Sequence, residues 1–149
     1  MSTLFINGSP NKNGNTALLA AALLKGKEYE TLNLTDYTIG AYGQNLPGDE
    51  LDAVIGAMKQ ADTIVIGSPL YWHNICGSVR NMLDRFYGKV EDGSLSGRKL
   101  YFVFQGAAPE KWMLEAGEYT MKRFAGLYGM TYGGMATNKN EATKLGKNI

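Results

Sequence analysis

The apolar positions of this chain fall into short blocks whose period alternates between that of a strand and that of a helix. Leu4-Phe5-Ile6 is a continuous apolar run that stops at Asn7-Gly8-Ser9-Pro10, which predicts a buried strand entering a turn. Asn15-Thr16 lead into Ala17–Leu24, a stretch of strong helix formers with capping residues before it and Gly26 as its stop. Tyr29–Leu34 predicts a second strand, and the polar, glycine-rich Thr35–Gly48 a loop. Within Asp49–Gln60, Leu51, Val54, Ile55 and Met58 recur at helical spacing, with acids in the first turn. Thr63–Gly67 is short, β-branched and continuous, as expected of a strand covered on both faces. Ser68–Cys76 reads as a loop, Val79, Met82, Leu83 and Phe86 as one helical stripe, and Gly88–Gly97 as a surface loop. Leu100–Phe104 predicts a fourth strand, Glu110–Tyr128 a long helix and Met130–Ala136 a last strand. The tail from Thr137 to Ile149 is polar, with little to bury.

Strands alternating with helices imply an α/β fold, a parallel sheet with helices on both faces. Right-handed crossovers leave few topologies for five strands. The expectation is a flavodoxin-like three-layer sandwich, a five-stranded parallel sheet in the order 2-1-3-4-5 with its last helix truncated or absent. No linker or repeat interrupts the chain, so residues 1–149 are read as one domain with a polar tail over 137–149. In such sheets ligands sit at the carboxyl ends of the strands, beside the point where strand order reverses.

Composition narrows the chemistry. The 149 residues carry 15 Lys and Arg against 14 Asp and Glu, a formal charge of +1, which argues against a large basic nucleic-acid surface. One cysteine, Cys76, excludes an internal disulfide, a Cys-x-x-Cys redox pair and a four-cysteine metal site within the chain. One histidine, His73, excludes a two-histidine metal site. Met1–Asn7 lacks a basic leader region, and no apolar run approaches the roughly 20 residues of a membrane span. The expectation is a cytoplasmic enzyme or binding protein with no metal, no nucleic-acid partner and no membrane anchor.

Three strand-end loops stand out. Gly8-Ser9-Pro10-Asn11-Lys12-Asn13-Gly14-Asn15-Thr16 precedes a helix, whose first amides and positive dipole end suit an anion. Its Ser, Asn and Thr side chains add neutral partners, and Lys12 is its one cation. It is neither a P-loop nor a Gly-x-Gly-x-x-Gly fingerprint, since Asn15-Thr16 stand where a Lys-Ser or Lys-Thr pair would. A phosphate monoester fits such a cradle; a plain Asn/Gly turn is the alternative. The second loop, Ser68-Pro69-Leu70-Tyr71-Trp72-His73-Asn74-Ile75-Cys76-Gly77, offers two adjacent aromatics that either wall a planar ring or pack over the sheet edge. His73 reads as a surface residue and Cys76 as a small buried one. The third loop, Gln105-Gly106-Ala107-Ala108-Pro109, is small enough for its amides to approach a ligand and stabilise developing negative charge.

Together these segments resemble the NADPH-dependent FMN reductases of the flavodoxin-like superfamily. Gly8–Thr16 looks like that family's phosphate loop. Ala61–Trp72 followed by Val79-Arg80-Asn81-Met82-Leu83-Asp84-Arg85-Phe86 looks like its central signature. The resemblance implies bound FMN, with Ser9, Asn11, Lys12, Asn13, Asn15 and Thr16 at the phosphate. It implies Pro69, Leu70, Tyr71, Trp72 and Asn74 along the isoalloxazine, and Gln105, Gly106 and Ala107 near its pyrimidine side. No side chain is required as a catalyst: NAD(P)H would pass hydride to flavin N5, then leave for a quinone, azo, nitro or flavin acceptor, a ping-pong scheme. A non-enzymatic FMN carrier or electron-transfer module is the alternative, and a flavin-free phosphate-binding domain a more distant one. Asp84-Arg85 is expected to anchor a helix. Iron–sulfur members of the wider family carry several cysteines after the second strand, whereas Ile39–Gln44 has none. A missing last helix would bare the face beside Ala17–Leu24, and the helix bearing Trp112, Tyr119 and Leu127 is apolar around much of its surface. Both features predict a homodimer or higher homo-oligomer.

Overall fold

Strands form in this chain where alternate side chains can be buried on opposite faces of one sheet. The computed structural model, which describes residues 1–149, places β1 (Thr3–Asn7), β2 (Glu30–Asn33), β3 (Thr63–Tyr71), β5 (Lys99–Gln105) and β6 (Thr131–Ala136) in one parallel sheet. The order is β2-β1-β3-β5-β6, and the short β4 (Asn74–Ile75) pairs antiparallel with the end of β3. Setting β4 aside, the five parallel strands run 2-1-3-4-5, the flavodoxin-like order expected from the alternation. The helices are α1 (Asn15–Leu23), α2 (Leu51–Gln60), α3 (Gly77–Asp84), α4 (Lys111–Leu127) and α5 (Lys139–Leu145).

Two unequal layers cover the sheet. Leu4, Ile6, Ile64, Ile66, Leu100, Phe102 and Phe104 point to one face, against α2, α3 and α4, in a core of 26 buried residues. Phe86, Phe124 and Tyr128 meet there edge to face, with ring centroids 5.0–5.1 Å apart. Phe5, Val65, Tyr101 and Val103 point the other way, against α1 and α5, in a core of 10.

The second face corrects the reading of the tail. Residues 137–149 are not idle: α5 buries Ala142, and Leu145 and Ile149 pack on the smaller core. Asn138 starts the helix by accepting from the Glu141 amide at 2.9 Å, and Glu141 in turn accepts from the Thr137 amide at 2.7 Å. Tyr101 donates its hydroxyl to the Asn148 carbonyl at 3.2 Å, and Lys27 reaches the Ile149 carbonyl at 2.8 Å. Burial raises the Tyr101 phenol above its ordinary pKa, so it stays a donor. Its ring lies where a side chain on Gly133 would stand, and β6 bulges there against β5. The last helix is truncated, as expected, yet its two turns suffice to cover α1. The face is therefore not bare, and the argument for association through it does not hold. Only Leu18 among the leucines of α1 is left well exposed.

A second correction concerns Ser68–Cys76. Rather than a loop, the segment is a hairpin: β3 continues to Tyr71, Trp72-His73 turn, and Asn74-Ile75 return. Both turn residues have positive φ, 48° at Trp72 and 67° at His73. That is the backbone of a two-residue type I′ turn, whose mirror-image twist matches the flanking strands. Asn-Gly adopts it cheaply, whereas bulky residues adopt it under strain.

Candidate functional site

The carboxyl ends of β1 and β5 flank β3, opposite Gly67 and Pro69, so the two loops that leave them and the hairpin at the end of β3 share one sheet edge. Between them lies a cleft of about 310 Å³. Ser9, Asn11, Gly14 and Asn15 line it from the first loop, Pro69, Leu70 and Tyr71 from the hairpin, and Gln105, Gly106 and Ala107 from the third loop. None of these residues carries a charge. A larger cavity of about 490 Å³ lies at the opposite edge, around Met1–Leu4 and Glu28–Glu30, away from all three loops.

The first loop is held open by its own side chains. Asn7, fully buried at the end of β1, donates to Asn33 Oδ1 at 3.0 Å and accepts from the Ser9 amide at 3.1 Å. Ser9 Oγ then accepts from the Asn11 amide, and Asn11 Oδ1 from the Asn13 amide. Gly8 has no room for a side chain, because a Cβ there would overlap Val79. Gly14 precedes α1 without a side-chain cap, and the amides of Asn15, Thr16 and Ala17 donate to nothing in the chain. Uncapped amides at a helix start, beside neutral hydroxyl and amide groups, form a donor set that fits a phosphate monoester.

The hairpin and third loop are tied to the first. Ser68 Oγ accepts from the Cys76 amide at 2.9 Å; Cys76 Sγ and Ser78 Oγ both donate to the Gly8 carbonyl, at 3.3 and 2.7 Å. Cys76 is thus a buried brace, as its reading suggested, and no thiol faces the cleft. Gln105 Nε2 donates to Thr16 Oγ1 at 3.2 Å, bridging the third loop to α1. The Gly106 and Ala107 amides donate to no group of the chain, so both stay open to a ligand. The donor set on this side fits the polar edge of a flavin ring.

Of the residues singled out in the sequence, the structure gathers Ser9, Asn11, Asn15, Pro69, Leu70, Tyr71, Gln105, Gly106 and Ala107 around the cleft. Others stand elsewhere. Thr16 is buried behind the lining, holding Gln105. Lys12 points away to Asp36, 2.6 Å distant. Asn13 lies exposed on the outer part of its loop, and Asn74 spends its carbonyl on the Ile75 amide at 2.8 Å. Trp72 is 93% exposed at the hairpin tip. Beside it, His73 meets Trp112 edge to face, centroids 5.8 Å apart. Asn7, Ser68 and Ser78 were not read as site residues. A polar residue ending an apolar run was the available signal for Asn7.

Arg85 anchors the neighbouring loop between β2 and α2. Its guanidinium meets Asp49 with two contacts, at 2.6 and 3.2 Å, and donates to the Gly40 carbonyl at 3.0 Å. Asp49 also accepts from the Gly40 and Leu51 amides. Hydrogen bonding to Arg85 first, then to Gly40, holds the Asp49 carboxyl well below the usual carboxylate range. Carboxylates and an arginine thus order this cysteine-free loop, and no group of three or more metal-ligating side chains occurs in the structure.

Known proteins agree with this architecture. The structure overlays on the Trp repressor binding protein of Bacillus subtilis with a TM-score of 0.78 at 18% identity, covering 97% of this chain and 98% of that one. An FMN-dependent NADH-azoreductase of Bacillus anthracis, solved with FMN, overlays at a TM-score of 0.65 and 16% identity, covering 99% and 95%. At such identities the likeness establishes the fold. An iron-sulfur flavoprotein of Archaeoglobus fulgidus is 38% identical over 98 residues, 57% of this chain. The matched part spans 48% of that relative, and the chain spans about half the length of the relatives it matches. The model of the family described as NADPH-dependent FMN reductase matches residues 1–142, and the chain belongs to that family.

Proposed function

We propose that this chain is a cytoplasmic FMN-dependent NAD(P)H oxidoreductase whose 149 residues form one FMN-binding domain. The observation that carries the reading is the uncharged cleft where three loops meet, with open amides at both ends. FMN and NAD(P)H are the cofactor and donor of the family. Ser9, Asn11, Asn15 and the first amides of α1 would hold the phosphate. Pro69, Leu70 and Tyr71 would line the ring, and the Gly106 and Ala107 amides would stabilise negative charge along its polar edge. When bound, FMN supplies hydride acceptance from NAD(P)H and delivery to an oxidised acceptor.

The chain's own work is positioning. Gln105, fixed by Thr16, keeps the third loop against α1, and the Ser68–Cys76–Gly8 bridges keep the hairpin against the first loop. No side chain of the cleft is placed as a general base. Donor and quinone, azo, nitro or flavin acceptor would use the cleft in turn, in a ping-pong cycle. The half-exposed Tyr71 and the Trp72-His73 tip would shape its mouth.

We also propose a homodimer, now through α3 and α4 rather than α1. Tyr87, Tyr119 and Leu127 are exposed there, at 67%, 67% and 45%, around a groove that also holds Arg80, Asp84 and Arg123. A two-fold axis lets such arginines meet the partner's acidic residue. Light scattering at micromolar concentration tests this, and a monomer would refute it.

The activity is tested by an absorption spectrum with added FMN, followed by NADPH under anaerobic conditions. Perturbed flavin bands that bleach faster than free FMN are expected. Perturbed bands that persist would leave a carrier or electron-transfer module, and unperturbed bands would remove the flavin.

A further inference from the structure

A second cavity, of about 340 Å³, opens beside the cleft between the start of α1 and the end of β6. Asn15 and Gln105 line both, so the two spaces share a wall. Leu18 and Leu19 form its apolar side, and Leu18 is 65% exposed. Thr137, Asn138 and Lys139 close the far side. The Lys139 ammonium makes no ion pair or hydrogen bond. The nearby Glu141 carboxylate is committed to the Thr137 amide and hydroxyl, at 2.7 and 2.9 Å. Across both cavities Lys139 is the only charged lining residue.

An apolar wall facing one free cation, next to a neutral reaction cleft, is the lining that selects a ring or chain bearing an anion. We propose that this side cavity is a specificity subsite for the anionic group of a small molecule that reacts in the cleft, with Lys139 pairing the charge and Leu18 covering the apolar body. The inference rests on the FMN reading of the cleft. The anion has two possible sources: a carboxylate or sulfonate on the acceptor, or the additional phosphate that distinguishes NADPH from NADH.

The test is equilibrium dialysis of para-methyl red, a carboxylated azobenzene, and of its uncharged carboxamide, against wild type, Lys139→Gln and Leu18→Ala. NADPH, NADH and FMN binding are measured in parallel. For Lys139→Gln the acid dye should bind about three- to fivefold more weakly, the worth of one partly exposed ion pair, while the carboxamide and FMN are unchanged. Leu18→Ala should weaken both dyes alike. A loss confined to NADPH would support the subsite and assign its anion to the donor. Unchanged binding of both the acid dye and NADPH would overturn the proposal. So would weakened FMN binding, which would give Lys139 to the cofactor phosphate. If wild type binds the dye and not FMN, the cofactor reading falls, and the acid-against-carboxamide ratio still decides the side cavity.

Discussion

The two faces of the sheet are built to different standards. The face under α2, α3 and α4 has large side chains in contact with one another, among them Phe86, Phe102, Phe104 and Phe124. The face under α1 and α5 has fewer and smaller ones, and it is finished by a seven-residue helix whose following residues, Asn148 and Ile149, are held by Tyr101 and Lys27. The difference teaches a division of labour. The larger core supports the sheet, while the smaller one supports α1, whose first turn borders the cleft and whose Leu18 borders the side cavity.

The comparison breaks first on stability. Phe102→Ala, in the larger core, should cost about 3–5 kcal/mol in chemical denaturation followed by circular dichroism. FMN affinity in the remaining folded protein should hardly change. Leu23→Ala, on the buried face of α1, should cost about 2–4 kcal/mol and weaken FMN binding as well, because the helix proposed to donate to the phosphate loses its seat. If Phe102→Ala proved the one that weakens the flavin, the division would be wrong.

The next effect concerns Arg85 and Asp49. Arg85→Ala should cost roughly 2 kcal/mol, the worth of hydrogen bonds to a charged partner. The Asp49 pKa is lower in the folded than in the unfolded chain. Its stabilisation is therefore complete above the unfolded value of about 4 and is lost as pH falls below it toward the folded value. Melting temperatures between neutrality and pH ~3 should fall less steeply for Asp49→Asn than for wild type. The smallest effect is a gain. His73→Gly should stabilise the hairpin by about 1 kcal/mol, since glycine takes positive φ without a Cβ clash, at the loss of the His73–Trp112 contact. A drop in melting temperature would show that this contact outweighs the strain.

Much of this was legible in the sequence because it depends on local signals. Continuous apolar runs ending in glycine placed β1, β3 and β5, and parallel order then brought their loops together. Most boundaries moved by a residue or two, as for α4, which spans Lys111–Leu127, while β3 ran past Gly67 to Tyr71. The hairpin was hidden because Trp-His lacks the chemistry of a type I′ turn. Lys12 was assigned to the phosphate because its partner Asp36, on another loop, is visible only in three dimensions. Asn138 and Glu141 carry a readable helix-start pattern. What α5 covers was not readable, since Ala142, Leu145 and Ile149 are too sparse to mark a face. Asn7 was passed over because its partner Asn33 lies 26 residues away.

The strained hairpin tip has an optical consequence. The chain has two tryptophans, Trp72 at the hairpin tip and Trp112 in the first turn of α4 against His73, 93% and 53% exposed. Their emission thus carries almost nothing from either core. Indoles already in water change colour little when the chain melts, so tryptophan fluorescence would be a poor reporter of unfolding. Beside a yellow, strongly absorbing guest, the same emission would dim by energy transfer as the cleft fills. Such emission would report occupancy of the cleft while saying little of the rest of the molecule.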